Sequence, residues 1–326
     1  MLRRVTFQLD YLLSAQFAGL IVAKRSGLYK QAGLDVELIE AWTNVDRWAK
    51  TGAGREPDIV ARKYENDDSI LCLGCVEQNV LVESQARGVK VKAVDAMIKG
   101  SVLALAASPS ITSLTSLRDL KGRTIGVHAD SVDLITALTK NSNLENEINI
   151  VEIDCANKYK LLADDTVQAI QAYDVMEPLE FSQMKEFKGR EPLMLSLGKI
   201  AYGNPGYSQV IFAPNDAIFS HKDTLDSFLE ATREGWAEAL KDVEHAGFQI
   251  MEARKESGTY SKSGQQDSQQ VQTRCLELMG PHIGHNVITK VSAIDPKEWG
   301  QSNEHMASIG IVSRMVPLEA SLQLDL

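Results

Sequence analysis

The sequence predicts an α/β protein with layers of largely parallel strands. Strand and helix signals alternate along the chain, which is typical of this class. The 326 residues suffice for two lobes of ordinary domain size. Hydrophobic residues make up 44% and charged residues 24%, a composition that indicates a folded globular protein rather than a disordered one.

The first predicted unit is a strand at Phe7, a polar and aromatic loop, a helix and a second strand at 35–39. Its loop holds Asp10, Tyr11, Ser14, Gln16 and Phe17. The loop lies at the carboxyl end of the strand, where open α/β sheets bind ligands. We therefore expect aromatic surface from Tyr11 and Phe17 and hydrogen bonds from Asp10 and Gln16, although Phe17 fits the buried face of the helix equally well.

The remaining elements follow in order. Residues 58–61 are predicted to end a short strand, followed by a polar loop at 62–68. Further strands are predicted at 69–74, 89–94, 100–107, 123–127, 148–154, 167–172, 193–197 and 208–213. Helices are predicted at 76–88, 113–121, 131–139, 223–255, 268–279 and 298–308.

The net charge of −10 disfavours nucleic acid and anionic membranes as partners, because both require a basic surface. No run approaches the ~18 apolar residues of a membrane span. The first five residues resemble the basic start of a signal peptide, but Gln8 and Asp10 interrupt the apolar stretch that should follow. We expect a cytoplasmic protein, with export or organellar import after removal of a leader as the alternative.

Cysteines occur at positions 72, 75, 155 and 275, too few for the disulfide framework of a secreted protein of this size. Cys72 and Cys75 have CxxC spacing, yet a second pair for zinc is missing from the sequence nearby. His282 and His285 alone are weak evidence of a site. The sequence also lacks dinucleotide, P-loop, HExxH and nucleophile-elbow motifs. We therefore expect no metal and no catalytic residue.

Several segments, in their order and spacing, resemble one known family. They are residues 27–29, 33–36, 85–88, 117–127, 173–178 and 206–208. The family comprises substrate-binding proteins for sulfonates, taurine and thiamine-precursor pyrimidines, together with the eukaryotic enzyme that makes the thiamine pyrimidine. The resemblance extends from about residue 5 to residue 312. It implies a type II periplasmic-binding-protein fold, with two α/β lobes joined by a hinge that closes on a ligand.

On this resemblance, lobe 1 would comprise 1–98 and 201–326, and lobe 2 would comprise 99–200. Hinge strands would lie near 97–103 and 199–208. Tyr11 matches the aromatic that stacks on a pyrimidine in relatives. Glu77 and Gln78 fall on a second cleft loop, although an acid also suits the first turn of a helix.

In the second lobe, His128 and Ser131 match the family's anion-binding helix start, where Asp130 would repel an anion. Tyr173, Asp174 and Glu177 match a motif that places an aromatic ring and a carboxylate in the cleft. Tyr207 is either an aromatic lid or a part of the hinge packing.

The family's pyrimidine synthase holds pyridoxal phosphate on a lysine and uses a histidine four residues later. The matching positions here are Val76 and Val80, and the enzyme's cysteine cluster is missing near 203–208. We therefore expect no cofactor. Pyridoxal phosphate is needed only if the chain is a diverged synthase, and Lys63 would then be a weak replacement for the lysine.

The best-supported prediction is a non-enzymatic binder of a flat, nitrogenous, neutral or cationic metabolite, such as a thiamine-precursor pyrimidine. One alternative is a diverged enzyme of thiamine-pyrimidine biosynthesis. Another is a structural subunit that kept the fold and lost its ligand. In that case, residues 65–68 and 265–270 would face a protein partner or a second copy of the chain.

Overall fold

The structure is a computed structural model that describes residues 2–41, 55–154, 157–182, 184–188, 191–258, 268–283 and 294–324. Cys155, His285 and residues 265–267 of the stretch at 265–270 lie outside the described residues. So do residues 42–54.

The strands of the described residues are β1 (Arg3–Gln8), β2 (Leu34–Ile39), β3 (Leu71–Val76), β4 (Val91–Lys99), β5 (Leu103–Ala107), β6 (Thr124–Val127), β7 (Asn149–Glu152), β8 (Ala169–Tyr173), β9 (Met194–Ser196) and β10 (Tyr207–Pro214). They form two mixed five-stranded sheets, with the orders β2-β1-β3-β10-β4 and β7-β6-β8-β5-β9. In the first sheet, β10 runs antiparallel between β3 and β4, whereas β1, β2 and β3 are parallel.

The helices of the described residues are α1 (Ala18–Arg25), α2 (Leu28–Gln31), α3 (Glu56–Asn66), α4 (Gln78–Ala86), α5 (Val132–Asn141), α6 (Lys158–Ala163), α7 (Glu177–Ser182), α8 (Gly198–Tyr202), α9 (Asn215–Ser220), α10 (Lys222–Lys241), α11 (Val243–Ser257), α12 (Gln269–Ile283), α13 (Pro296–Ser308) and α14 (Leu318–Ser321). Short 3-10 helices occur at Ala15–Phe17, Leu117–Leu120, Ala129–Ser131 and Lys185–Phe187. None of these helices is both long and apolar enough to cross a membrane.

Two α/β lobes, each with its own sheet, confirm the predicted fold class. The chain leaves the first sheet after β4 and returns to it in β10, so the strands of the second sheet are inserted between them. The predicted lobe boundaries at 98 and 200 stay a prediction.

The two connections between the sheets lie side by side. The Ser101 amide donates to the Pro205 carbonyl (2.6 Å), and the Gly100 amide donates to the Gly206 carbonyl (3.0 Å). Helix α13 covers the returning connection, because Asn204 Nδ2 donates to the Glu298 carbonyl at 2.8 Å. The second connection begins with helix α8, which corrects the prediction of a hinge strand from 199.

The region at 56–66 also differs from the prediction. Residues 58–61 belong to helix α3 rather than to a strand, and the predicted loop at 62–68 is helical up to Asn66. The reason is a helix start that the sequence does contain. Pro57 lies in the first turn, where its missing N–H costs nothing, and Glu56 and Asp58 favour the positive end of the helix dipole.

Candidate functional site

A small cavity lies between the lobes, at the carboxyl ends of strands from both sheets. Its volume is about 40 Å³. It is lined by residues that follow β1, β3, β6, β7 and β8, or lie at the ends of those strands: Asp10, Tyr11, Gln16, Glu77, His128, Lys158, Gln171, Ala172, Tyr173 and Glu177. This is the place where α/β folds bind ligands. The volume holds a few water molecules, whereas ligand pockets measure roughly 300–1,000 Å³, so the cleft is closed.

A chain of hydrogen bonds crosses the closed cleft. The Tyr173 hydroxyl, from the second sheet, donates to Glu77 Oε1 in a very short contact. The other oxygen of Glu77 accepts from Ser208 Oγ at 3.0 Å. Gln209 Nε2 lies 3.0 Å from both the Tyr173 hydroxyl and Asp10 Oδ2. Tyr173 is thus held by two groups of the opposite lobe.

Aromatic rings and one buried ammonium group form the other side of the site. The rings of Tyr11 and His128 stack across the cleft with centroids 6.2 Å apart. Lys158 Nζ lies 5.2 Å from the Tyr11 centroid and 5.0 Å from the Tyr159 centroid, within the range of cation–π attraction. Lys158 also pairs with Glu177 Oε1 at 2.6 Å.

Burial and charge perturb the titrating groups of the site. Burial, together with the positive charge of Lys158, lowers the pKa of His128 to about 3, so its ring is neutral near pH 7. Burial and the negative charges of Glu77 and Asp10 raise the pKa of the Tyr173 hydroxyl, which stays a donor. Three carboxylates line the cavity against one ammonium group. The site therefore suits a ligand with hydrogen-bond donors or positive charge and disfavours an anion.

The structure brings together seven of the twelve residues that the sequence singled out: Asp10, Tyr11, Gln16, Glu77, His128, Tyr173 and Glu177. Phe17 does not line the cavity, because it is fully buried in the hydrophobic core of the first lobe. Gln78 is also buried, and its Oε1 accepts from the Tyr207 amide at 3.1 Å.

The remaining three residues also lie away from the cavity wall. The buried Ser131 precedes α5, and its amide donates to the His128 carbonyl at 2.9 Å. Asp174 follows β8, and burial raises the pKa of its carboxyl. Tyr207 packs beside Trp299 of α13 and donates to Glu298 Oε2 at 3.1 Å. Tyr207 therefore takes part in hinge packing rather than in a lid.

Sequence reasoning missed Lys158, Gln171, Ser208 and Gln209, which line the cavity or bond to its lining residues. A buried lysine has no local signature, because its partner Glu177 is 19 positions away. Ser208 and Gln209 had a partial signal, since Ser208 ends the segment 206–208 that resembles the family and Gln209 directly follows it.

The residues present do not fit pyridoxal phosphate. Val76 and Val80, at the positions of the synthase lysine and histidine, are 1% exposed and carry no reactive group. Lys63 lies on helix α3 and not on the cavity wall. Lys158 does reach the cavity, but its ammonium nitrogen is already held by Glu177 Oε1 at 2.6 Å.

Solved structures of similar fold cover almost the whole chain. The alkanesulfonate-binding protein of Xanthomonas axonopodis pv. citri, bound to MOPS, is 17% identical with a TM-score of 0.64, covering 98% of this chain and 97% of that one. The periplasmic aliphatic sulphonate binding protein of Escherichia coli is 14% identical with a TM-score of 0.63, covering 98% and 91%. These likenesses establish the two-lobed fold of small-molecule-binding proteins.

The same comparisons contradict the predicted cytoplasmic location. The similar protein of Escherichia coli is periplasmic, so proteins of this fold include ones that bind ligands outside the cytoplasm. The prediction relied on Gln8 and Asp10 as interruptions of an apolar leader. Their place in the fold explains them instead, because Gln8 ends β1 and Asp10 lines the cavity.

The family comparison rests on the sequence itself. Residues 14–246 match the family described as "NMT1/THI5 like". A putative thiamine biosynthesis protein of Haemophilus influenzae is 24% identical over 234 residues, which span 70% of this chain and 66% of that protein. The match thus covers just under two thirds of that relative's length. Because the family match extends over more than half of the sequence, the chain belongs to the NMT1/THI5-like family.

Proposed function

We propose that the chain binds a small, planar, nitrogen-containing ligand, neutral or cationic, between its lobes, without catalysing a reaction on it. The observation that carries the proposal is the meeting of the Asp10 and Glu77 carboxylates with the Tyr11 ring at one cavity. A thiamine-precursor aminopyrimidine combines a flat ring with exocyclic N–H donors, and the similarity to a putative thiamine biosynthesis protein favours it as the specific candidate.

The charge of the site supports a ligand that donates hydrogen bonds rather than an anionic ligand. A sulfonate would be held against three carboxylates in a poorly solvated cavity, where like-charge repulsion is strong. Lys158 offers little compensation, because its ammonium group is already paired with Glu177. The ligand preference is therefore expected to differ from that of the sulfonate-binding proteins that share the fold.

The closed cleft supplies the binding mechanism. Lobe separation breaks the contact between Tyr173 and Glu77 and the stack of Tyr11 on His128. An amino group of the ligand then donates to Glu77 in place of the Tyr173 hydroxyl. The ligand ring replaces one partner of the aromatic stack. Closure buries the ring, and hinge motion of this kind is common among two-lobed binding proteins.

Thermal shift and isothermal titration test the proposal. We expect a hydroxymethyl-aminopyrimidine to stabilise the protein, with about 2.7 kcal/mol at 100 times its dissociation constant. Taurine and MOPS should have no effect. Glu77→Gln should weaken binding by about tenfold or more, because a charge-assisted hydrogen bond contributes ~1.5–3 kcal/mol. The matched control is Glu37→Gln, which removes the same charge from an exposed position of β2. Stabilisation by the sulfonates alone would overturn the proposal.

One observation favours a second candidate, a structural subunit without a ligand. The side chains of the cleft nearly fill it, leaving about 40 Å³. On this alternative, no planar amine, pyrimidine or sulfonate shifts the melting temperature. A mass measured by light scattering during gel filtration would then reveal a dimer or a complex. A monomer that responds to the aminopyrimidine excludes this candidate.

A further inference from the structure

Gln209 is fully buried in β10 and has a left-handed backbone, with φ of 52°. Glycine adopts this conformation readily, whereas a residue with a Cβ atom is strained in it. Asparagine and aspartate tolerate it better than glutamine does. The contacts of the glutamine side chain must therefore offset this strain. Strained residues of this kind cluster at functional sites.

The left-handed turn changes where the side chains of β10 point. In a regular strand, neighbouring side chains lie on opposite faces. Here Ser208 Oγ donates to Glu77, and the next residue, Gln209, donates to Asp10 and Tyr173. Both residues therefore reach the same cluster of cleft residues. The strained backbone makes this possible.

The amide of Gln209 also joins the two lobes. Its Nε2 donates at 3.0 Å to Asp10 Oδ2, which follows β1 of the first sheet, and at 3.0 Å to the hydroxyl of Tyr173, which ends β8 of the second. An amide nitrogen carries two hydrogens and can serve both acceptors at once. An isosteric carboxylate has no hydrogen to donate and would repel Asp10.

We propose that Gln209 is a positioning residue that holds Asp10 and Tyr173 in register across the cleft. This role of Gln209 rests on the proposed function and has two consequences. In the closed cleft, the amide keeps the Tyr173 hydroxyl against Glu77 and the lobes together. When the ligand is bound, the amide orients the Asp10 carboxylate toward it. The site retains glutamine, despite the backbone strain, for these two hydrogen bonds.

Three substitutions separate the backbone from the amide. Gln209→Gly removes both the strain and the amide, Gln209→Ala removes the amide alone, and Gln209→Glu keeps the shape and the strain but removes the donors. We expect all three to weaken binding of the hydroxymethyl-aminopyrimidine by about tenfold, as for the loss of a buried hydrogen bond. We expect Gln209→Gly to melt about 2–4 °C above Gln209→Ala. If Gln209 only stabilised the fold, the more stable Gln209→Gly variant would also bind more tightly than Gln209→Ala.

A double-mutant cycle on the dissociation constant checks that Gln209 acts through Tyr173. Tyr173→Phe removes the hydroxyl that accepts from the amide. We expect Gln209→Gly combined with Tyr173→Phe to weaken binding less than the product of the two single effects, because the residues share a contact. Multiplicative effects, or a wild-type dissociation constant for Gln209→Gly, would refute the positioning role.

Small-angle X-ray scattering of the ligand-free proteins distinguishes failure of this inference from failure of the proposed function. We expect a larger radius of gyration for Gln209→Gly and Gln209→Glu than for the wild type, since the lobes lose an amide bridge. If the wild type binds no aminopyrimidine but these variants open, the proposed function fails and the closing role of Gln209 stands. If the scattering curves are identical, the closing role fails, whatever the wild type binds.

Discussion

Lys158 contributes a charge that is costly to bury, and its surroundings compensate for it. The side chain is 2% exposed and that of Glu177 is 8% exposed, with 2.6 Å between Nζ and Oε1. The other carboxylate oxygen of Glu177 accepts from the Tyr173 amide at 2.7 Å. The Tyr11 and Tyr159 rings face the ammonium group. A buried ion pair contributes little net stability, yet the loss of one partner is expensive.

Lys158→Met should therefore destabilise the protein strongly. The substitution leaves the Glu177 carboxylate buried without its cation, and we expect a loss of about 3–5 kcal/mol in the free energy of unfolding. Adding Glu177→Gln should restore much of this loss. The control is Lys160→Met, because Lys160 pairs with Asp164 on the surface, where its side chain is 78% exposed. Urea denaturation of the wild type, the two single lysine variants and the double variant measures the free energy of unfolding. Equal losses for Lys158→Met and Lys160→Met would contradict the argument.

The limits of sequence reasoning at this scale follow from distance along the chain. Asp10, Tyr11 and Gln16 were predicted because one loop carries them, and Tyr173 and Glu177 because one motif does. The pairing of Lys158 with Glu177 depends on the fold, which places the start of α6 beside the start of α7. Helix periodicity assigns a lysine to the surface, so a compensated buried lysine is predicted only once its partner is located.

At the scale of elements, the close approach of α1 and α10 depends on two glycines. A Cβ atom at Gly235 would lie 2.2 Å from the Gly19 carbonyl oxygen and 2.7 Å from Ala23 Cβ. A Cβ atom at Gly19 would lie 2.2 Å from the Trp236 ring. Helix α1 follows the loop that carries Asp10 and Tyr11, so the packing of α10 on α1 helps to fix the position of that loop.

Gly235→Ala should destabilise the protein although alanine is the better helix former. The gain in helix propensity is about 1 kcal/mol, whereas overpacking against a rigid backbone costs ~1–3 kcal/mol or more. Gly300→Ala is the matched control, because Gly300 lies within α13 and no atom would touch the new methyl group. We expect it to stabilise the protein by about 0.5–1 kcal/mol. Chemical denaturation should give opposite signs, and the same sign would contradict the packing argument.

Elements were predicted best where their boundaries carry a local signal. Gly88 lies just past the end of α4 with a φ of 98°, and the alternation of apolar residues identifies β4. Helix α3 was missed because its apolar residues, Ile59 and Val60, are adjacent and imitate a short strand. The first-turn signal at 56–58 was the better guide. The break between α10 and α11 was also missed, since the helical pattern continues across Asp242.

At the scale of the whole molecule, contacts at the hinge, at the rim and in the interior hold the cleft in its closed arrangement. The hinge connections are tied to each other and to α13. The rim carries an ion pair between Arg55 and Asp133, at 2.8 Å. The interior holds the stack of Tyr11 on His128. The interior stack contains His128, whose ring stays neutral near pH 7 because its pKa is lowered. Closure of the cleft is therefore connected to pH.

Acidification should open the cleft through His128. The folded protein lowers the pKa of His128 to about 3, whereas an unfolded histidine titrates near ~6.5. Between these values, the unfolded chain binds more protons, so stability rises with pH and is lost as the pH falls from 6.5. A single such group contributes at most ~1.4 kcal/mol per pH unit. A protonated ring beside Lys158 is also repelled, which favours lobe separation.

Urea denaturation and small-angle scattering between pH 7 and pH 4.5 measure this dependence. This interval is chosen above the ordinary pKa of surface carboxylates, about 4. We expect the wild type to lose stability and to expand as the pH falls. His128→Phe retains a ring to stack on Tyr11 but cannot take up a proton, so it should lose much less stability over the same interval. Parallel curves for the two proteins would show that His128 is not the group that couples the cleft to pH.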